Sequence, residues 1–190
     1  MKAMTNFKGL TSKDPKIKYG CAKSLLATAK NNPAKLYPHI DFFVEFMKNE
    51  NKILKWTAID IIGLLSKTDE EKKIDKMLDK LLAFLDTGNM ITANHAIAAL
   101  ADIAVAKPEY QKIITDELLK VEHHNYETDE CRNIALGKVV LALSLYFDHL
   151  KDKKTVIEFV ERQTKNTRNA TKKKAEKFFK KYQLVRNLRM

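Results

Sequence analysis

An alanine followed three and four residues later by two residues in core-facing positions occurs five times: Ala22-Leu25-Leu26, Ala58-Ile61-Ile62, Ala96-Ala99-Leu100, Ala135-Lys138-Val139 and Ala175-Phe178-Phe179. Successive alanines are 36, 38, 39 and 40 residues apart. Positions i, i+3 and i+4 share one face of an α-helix, so each copy is an apolar stripe with a notch through which a neighbouring helix can approach. The stripes continue at the helical period through Leu25, Leu26 and Ala29; Ile59, Ile62 and Leu65; Ile97, Leu100, Ile103 and Ala104; and Ile134, Val139, Leu141 and Leu145. Strand alternation fits none of them. Between the alanines lie second amphipathic stretches, Leu36-Ile40-Phe43-Met47, Ile74-Met77-Leu78-Leu81-Leu85, Tyr110-Ile113-Ile114-Leu118 and Val156-Phe159-Val160. Two helices in each such period are the sequence signature of helical pairs that stack into a solenoid.

The punctuation agrees with that period. Asp14-Pro15, Asn32-Pro33 and Lys107-Pro108 put proline where a first helical turn tolerates its missing N–H, and Asp14 and Asn32 are candidate caps. Thr68 and Glu71 have capping-box spacing, Thr128 can cap the helix carrying Cys131, and Gly88 suits the left-handed residue that closes a helix. These signals predict helices near 15–31, 33–48, 52–66, 70–86, 90–106, 108–122, 129–149, 153–165 and 168–187. One domain over 1–190 is expected, with residues 1–12 frayed and 168–190 forming a basic capping helix and tail.

The stretch Leu54-Lys55…Ala58, followed by paired aliphatics, resembles the HEAT and armadillo class of helical repeats, in which a basic residue stands three positions before the alanine. Arg132…Ala135 and Lys172…Ala175 keep that position, whereas Tyr19 and Ala93 depart from it. The resemblance covers roughly residues 15–187. It implies an all-α fold: a right-handed α-solenoid (α-α superhelix) of about four HEAT-like helical pairs plus a C-terminal capping helix. In such folds the second helices line a concave binding face, which makes Lys35, His39, Lys73, Lys76 and Lys80 the candidate concave-face contacts, with Glu45, Gln111, Thr115 and Glu117 on the same helices.

Charge is distributed unevenly. The net charge is +11, yet residues 1–150 hold 21 Lys/Arg against 20 Asp/Glu, whereas residues 151–190 hold 14 against 4. Lys172, Lys173, Lys174, Lys177, Lys180, Lys181, Arg186 and Arg189 are therefore candidate polyanion contacts, able to attract phosphate-rich or acidic partners. The same lysines also suit the polar outer face that a terminal helix of a stack requires. Any nucleic-acid contact would be independent of sequence, since no zinc-finger spacing or aromatic RNA-reading motif is present.

No stretch approaches the roughly 18 apolar residues of a membrane span and no signal-peptide core is evident, so a cytoplasmic location is expected. Cys21 and Cys131 fall on first helices of different units and read as reduced thiols, and Asn169-Ala170-Thr171 matches a glycosylation acceptor only in a secreted protein. His123-His124, with Glu122, Glu127, Asp129, Glu130 and Cys131, is the cluster richest in potential ligands, but its spacing matches no zinc signature; no metal and no cofactor are expected. No Gly-x-Ser-x-Gly, P-loop or Gly-x-Gly-x-x-Gly pattern is present.

Enzymes built from HEAT-like pairs exist. The alkylpurine DNA glycosylases are similar to this chain in size, helical repeat and basicity, and that resemblance implies tryptophans and an acidic residue on the concave face. The single tryptophan, Trp56, precedes a repeat alanine on a first helix, so no residue of that site carries over. The bilin-lyase group has shorter repeats, and no catalytic residue carries over from it either. The expectation is a non-enzymatic scaffold or adaptor binding a protein partner. Nucleic acid is the alternative partner, and a monomer is the default state, with a homodimer as its alternative.

Overall fold

A computed structural model describes residues 7–183. Among them the structure is all-helical, with ten α-helices: α1 Pro15–Asn31, α2 Pro33–Leu36, α3 Ile40–Phe46, α4 Lys52–Leu65, α5 Leu78–Ala83, α6 Met90–Ala106, α7 Gln111–Lys120, α8 Asp129–Tyr146, α9 Lys154–Gln163 and α10 Asn169–Lys181. The long helices α1, α4, α6, α8 and α10 pack side by side in chain order. The shorter helices pack chiefly onto them, α3 on α4, α5 and α7 on α6, and α9 on α8 and α10.

Four of the five long helices, α1, α4, α6 and α8, begin at a side-chain cap. Asp14 accepts from the Lys16 amide, Asn51 from Ile53 and Leu54, Asn89 from Thr92, and Thr128 from Cys131. At α10 the Asn166 side chain accepts from the Arg168 amide at 2.9 Å. These bonds satisfy helix-start N–H groups and hold the entry angle of each long helix. Gly88 has φ +72°, the left-handed conformation anticipated for it.

The core follows the alanine pattern. Ala58, Ile59, Ile61, Ile62 and Leu65 of α4 and Ala96, Ile97, Ala99, Leu100 and Ile103 of α6 are each 0% exposed. Complete burial of one such isoleucine or leucine contributes roughly 1.5–3 kcal/mol. One hydrophobic cluster extends from Leu10 to Phe179. The notches bring helices together: a Cβ added to Gly63 would stand 2.5 Å from the Ala99 Cα, and one on Gly137 would stand 2.6 Å from Thr171 Oγ1.

The second helices differ most from expectation. The helix expected over 33–48 is interrupted at Tyr37–His39 by a 3₁₀ turn, because Pro38 has no N–H and its ring crowds the preceding carbonyl. The helix expected from 70 begins only at a 3₁₀ turn, Asp75–Met77. Thr68 and Glu71 do not form a capping box; the Thr68 hydroxyl donates back to Leu65 O, and Lys72 adopts φ +54°. Asn32 makes no side-chain cap either. Leu141 and Leu145, expected in the core, are 44% and 60% exposed. The α8 sequence is apolar on nearly every side, so its period leaves the buried face ambiguous; packing against α6 and α10 selects Ala135, Leu136, Val139, Leu143 and Tyr146.

Of the stretch 1–12 expected to fray, residues 1–6 lie outside the described residues, and residues 7–12 pack on the helices that follow. Lys8–Thr11 is a 3₁₀ turn whose Leu10 is buried, and the Phe7 ring packs on Phe42, Phe43 and His39. Neither Cys21 nor Cys131 forms a disulfide among the described residues.

A valine at position 63 forces a branched side chain into the Ala99 backbone. Gly63→Val is expected to lower the unfolding free energy by about 1–3 kcal/mol, the usual range for overpacking, read as a lower urea midpoint with far-UV circular dichroism unchanged.

Candidate binding groove on the long helices

Position along each long helix is best counted from its repeat alanine. Ile17, Ile53 and Ile91 all stand five residues before it, and all are exposed. On α6 the outward positions continue through His95, Ala98 and Asp102 to Val105; on α4 they continue through Asp60 and Leu64. Six of the seven exposed large apolar side chains, Ile17, Ile53, Ile91, Val105, Leu141 and Leu145, are on long helices. The seventh, Ile113, is on α7.

A cavity of about 610 Å³ opens on this outward face, lined by Leu26 and Lys30 of α1, Asp60 and Leu64 of α4, Ile91, Asn94, His95, Ala98, Ala99 and Asp102 of α6, and Lys138 of α8. Helices α1 and α8 are separated in the series by α4 and α6, yet both reach the same cavity. The cavity therefore forms a groove that spans the outward faces of α1, α4, α6 and α8.

Charged and polar side chains, Lys30, Asp60, Asn94, His95, Asp102 and Lys138, are interleaved with the apolar ones here. His95 Nδ1 lies 2.8 Å from Asp60 Oδ1, and the Trp56 ring stacks on His95 with a centroid separation of 5.5 Å. Trp56 Nε1 donates to Thr92 Oγ1 at 3.0 Å, and Thr92 Oγ1 lies 2.9 Å from the Asn89 cap, so the indole ties α4 to α6 and does not line the cavity. Asn94 Oδ1 is buried without a hydrogen-bond partner. Asp102 is half-buried, and its carboxylate has no hydrogen-bonded partner among the described residues. Burial pushes its pKa up, Asp60 adding to the effect and Lys67, Lys138 and Lys30 opposing it.

The C-terminal lysines join this face. Lys174, Lys177 and Lys181 stand at the same offsets from Ala175 as His95, Ala98 and Asp102 do from Ala96. Lys174 is half-buried, its Nζ 3.3 Å from where a Gly137 Cβ would be, and burial with Arg168 and Lys138 nearby holds its pKa below the usual lysine value. Lys181 Nζ donates to Ser144 O at 2.9 Å. Lys172, Lys173, Lys177 and Lys180 are exposed; Arg186 and Arg189 lie outside the described residues.

None of the five second-helix candidates lines the cavity. Lys35, His39 and Lys76 are exposed, Lys73 pairs with Asp41 at 3.1 Å and Glu71 at 3.4 Å, and burial beside Lys48 lowers the Lys80 pKa. Gln111 and Thr115 are buried and structural: Gln111 Nε2 donates to Ala104 O, and Thr115 Oγ1 bonds to the Tyr146 hydroxyl. The His123-His124 stretch is a clasp between helical pairs, with Tyr126 donating to Leu85 O and Glu127 accepting from Asn89 and the Met90 amide.

Sequence reasoning missed a buried ion network at the base of α5. Asp69, with its side chain 0% exposed, accepts from the Tyr37 hydroxyl and from the Lys73 and Ile74 amides, and lies 2.7 Å from Lys107 Nζ. Lys107 also contacts Asp75 at 2.5 Å. Burial opposes the charge of Lys107, but its bonds to Asp69 and Asp75 outweigh that and raise its pKa. The one signal available in sequence was the Lys107-Pro108 junction, which carried no hint of a partner 38 residues earlier.

No known protein family matches the chain, and no curated protein does. Among solved structures, the crystal structure of an engineered protein superposes with a TM-score of 0.55 at 18% identity, covering 93% of this chain and 77% of that one. At that identity the likeness shows a shared fold and nothing of activity.

Removing the Lys107 charge leaves Asp69 buried with neutral donors alone. Lys107→Met is expected to lose about 3–5 kcal/mol, the typical result of breaking a buried pair, and Asp69→Asn in the same chain to recover part of it in urea titrations. Asp102 has the opposite sign. Its folded pKa lies above the ordinary 3.8, so the stability of its neutral form is present below 3.8 and is lost as pH rises through the folded value. Asp102→Asn should therefore be more stable than the parent at neutral pH, with the gain shrinking toward pH 3 in paired thermal melts.

Proposed function

We propose that the chain is a non-enzymatic binding module, a right-handed α-solenoid of about four HEAT-like pairs with a C-terminal cap, that holds a protein partner. The observation that carries this reading is the apolar ladder on the long helices. Exposed isoleucines recur at one position in three successive units, Ile91 among them lining the cavity, and Val105, Leu141 and Leu145 are exposed on the neighbouring long-helix surface. Contiguous exposed apolar surface of this kind marks interaction sites. The half-buried Asp102 supports the same reading, because a carboxylate that costs stability when ionised is the kind of group retained for binding.

A second reading, sequence-independent nucleic-acid contact, is favoured by the exposed Lys172, Lys173, Lys177 and Lys180. It leaves the apolar ladder without a role. A base-repair reading would require aromatic rings opening into the groove, whereas the Trp56 ring is engaged by His95 and Thr92.

Affinity capture from the native lysate with nuclease present separates these readings. The parent chain should retain a protein that persists at high salt and is lost with Ile91→Glu combined with Leu141→Glu. Retention of nucleic acid alone, collapsing steeply as salt rises, would contradict the proposal.

A further inference from the structure

The apolar ladder and the basic C-terminal end lie on one surface. Offsets that carry His95, Ala98 and Asp102 in α6, all lining the cavity, carry Lys174, Lys177 and Lys181 in α10. Between them, α8 presents Lys138 in the cavity and Leu141 and Leu145 outside it. A ligand following the groove from α4 to α10 thus meets Ile53, Leu64 and Ile91, then Leu141 and Leu145, and finally the lysines.

Resting on the binding-module reading above, we propose that this surface takes an amphipathic α-helix of a partner protein, with its apolar face over α4, α6 and α8 and acidic side chains at the end that meets Lys138, Lys174, Lys177 and Lys181. Charge complementarity sets the acidic end, since residues 151–190 hold 14 basic against 4 acidic residues. The floor sets the conformation. It mixes Leu64, Ile91 and Ala98 with Lys30, Asp60, His95 and Asp102, and the exposed apolar side chains outside it come one or two to a long helix. A helix presents a single apolar face to such a row while satisfying its own N–H and C=O groups, leaving its polar side chains for the charged residues. The span sets the length: three steps of about 9 Å between packed helices are about 27 Å, or about 18 residues at 1.5 Å each. A second copy of this chain is a poor occupant, because its own basic end would meet the same lysines.

The geometry also accounts for two groups left without partners. Asn94 Oδ1 and the Asp102 carboxylate are acceptors in the wall of the cavity. A donor side chain on the partner helix that enters the cavity would satisfy them.

The test uses the full chain and fluorescence anisotropy with three synthetic 18-residue peptides. One has leucines on one helical face and glutamates clustered at one end, the second replaces those glutamates by lysines, and the third scrambles the first so that its leucines share no face. The acidic amphipathic peptide should bind at least tenfold more tightly than either control. Leu145→Glu should weaken it tenfold or more, and Lys177→Glu with Lys181→Glu should shift preference toward the lysine peptide, with circular dichroism unchanged in each variant. Equal binding of acidic and basic peptides, or insensitivity to the lysine reversals, would overturn the inference. So would tight, reversal-sensitive binding of duplex DNA in place of the peptide. If no peptide binds while lysate capture still depends on Ile91 and Leu141, the acidic-helix inference fails and the binding-module reading stands; loss of both removes both.

Discussion

Helices α4 and α6 meet where Gly63 lies against Ala99, and everything outside that contact depends on how closely the long helices approach. A side chain at 63 would place its Cβ 2.5 Å from the Ala99 Cα, so the two backbones are nearer than any larger pair permits. Gly137 repeats the device between α8 and α10, with Thr171 reaching across to donate to Asn133 O at 2.6 Å. Close approach on the long-helix side leaves the shorter helices to fill the other side. A stack that is tight on one side and filled by bulkier packing on the other tends to bend toward the tight side, and a bend of that sense would bring α1 and α8 to the cavity that both line.

Polar ties then fix the register from one pair to the next. Trp56 reaches Thr92, Asn89 reaches Glu127, and Asn133 reaches Thr167, each bond joining residues 34–38 positions apart. Asn89 serves both ends of its tie, its Oδ1 accepting from the Thr92 amide at the start of α6 while its Nδ2 donates to Glu127. The Asp69–Lys107 network does the same on the opposite side, joining α2, α5 and α6 through one buried charge pair.

What could be read from sequence divides along the same line. The long helices were legible because local signals agree: α1 and α6 span Pro15–Asn31 and Met90–Ala106, matching the ranges drawn from caps, prolines and period. The second helices were not, because their starts are set by tertiary partners. Asp69 draws the chain at 70–74 around its carboxylate, accepting from the Lys73 and Ile74 amides while paired with Lys107. Leu141 and Leu145 misled because an apolar helix carries little information about which face is buried. The groove was half visible, since the isoleucines five residues before three of the alanines recur in the sequence; what the sequence lacked was the curvature that makes their face concave.

That curvature is the central physical claim, because it decides which side of the stack can enclose a partner. Spin labels at positions 30 and 138, on α1 and α8, measure it directly by pulsed electron resonance. A flat layer would separate the helices by about 27 Å over three steps. A curled layer gives one narrow distribution clearly shorter than this; a distribution at or beyond it rules out the curl and moves the binding face elsewhere.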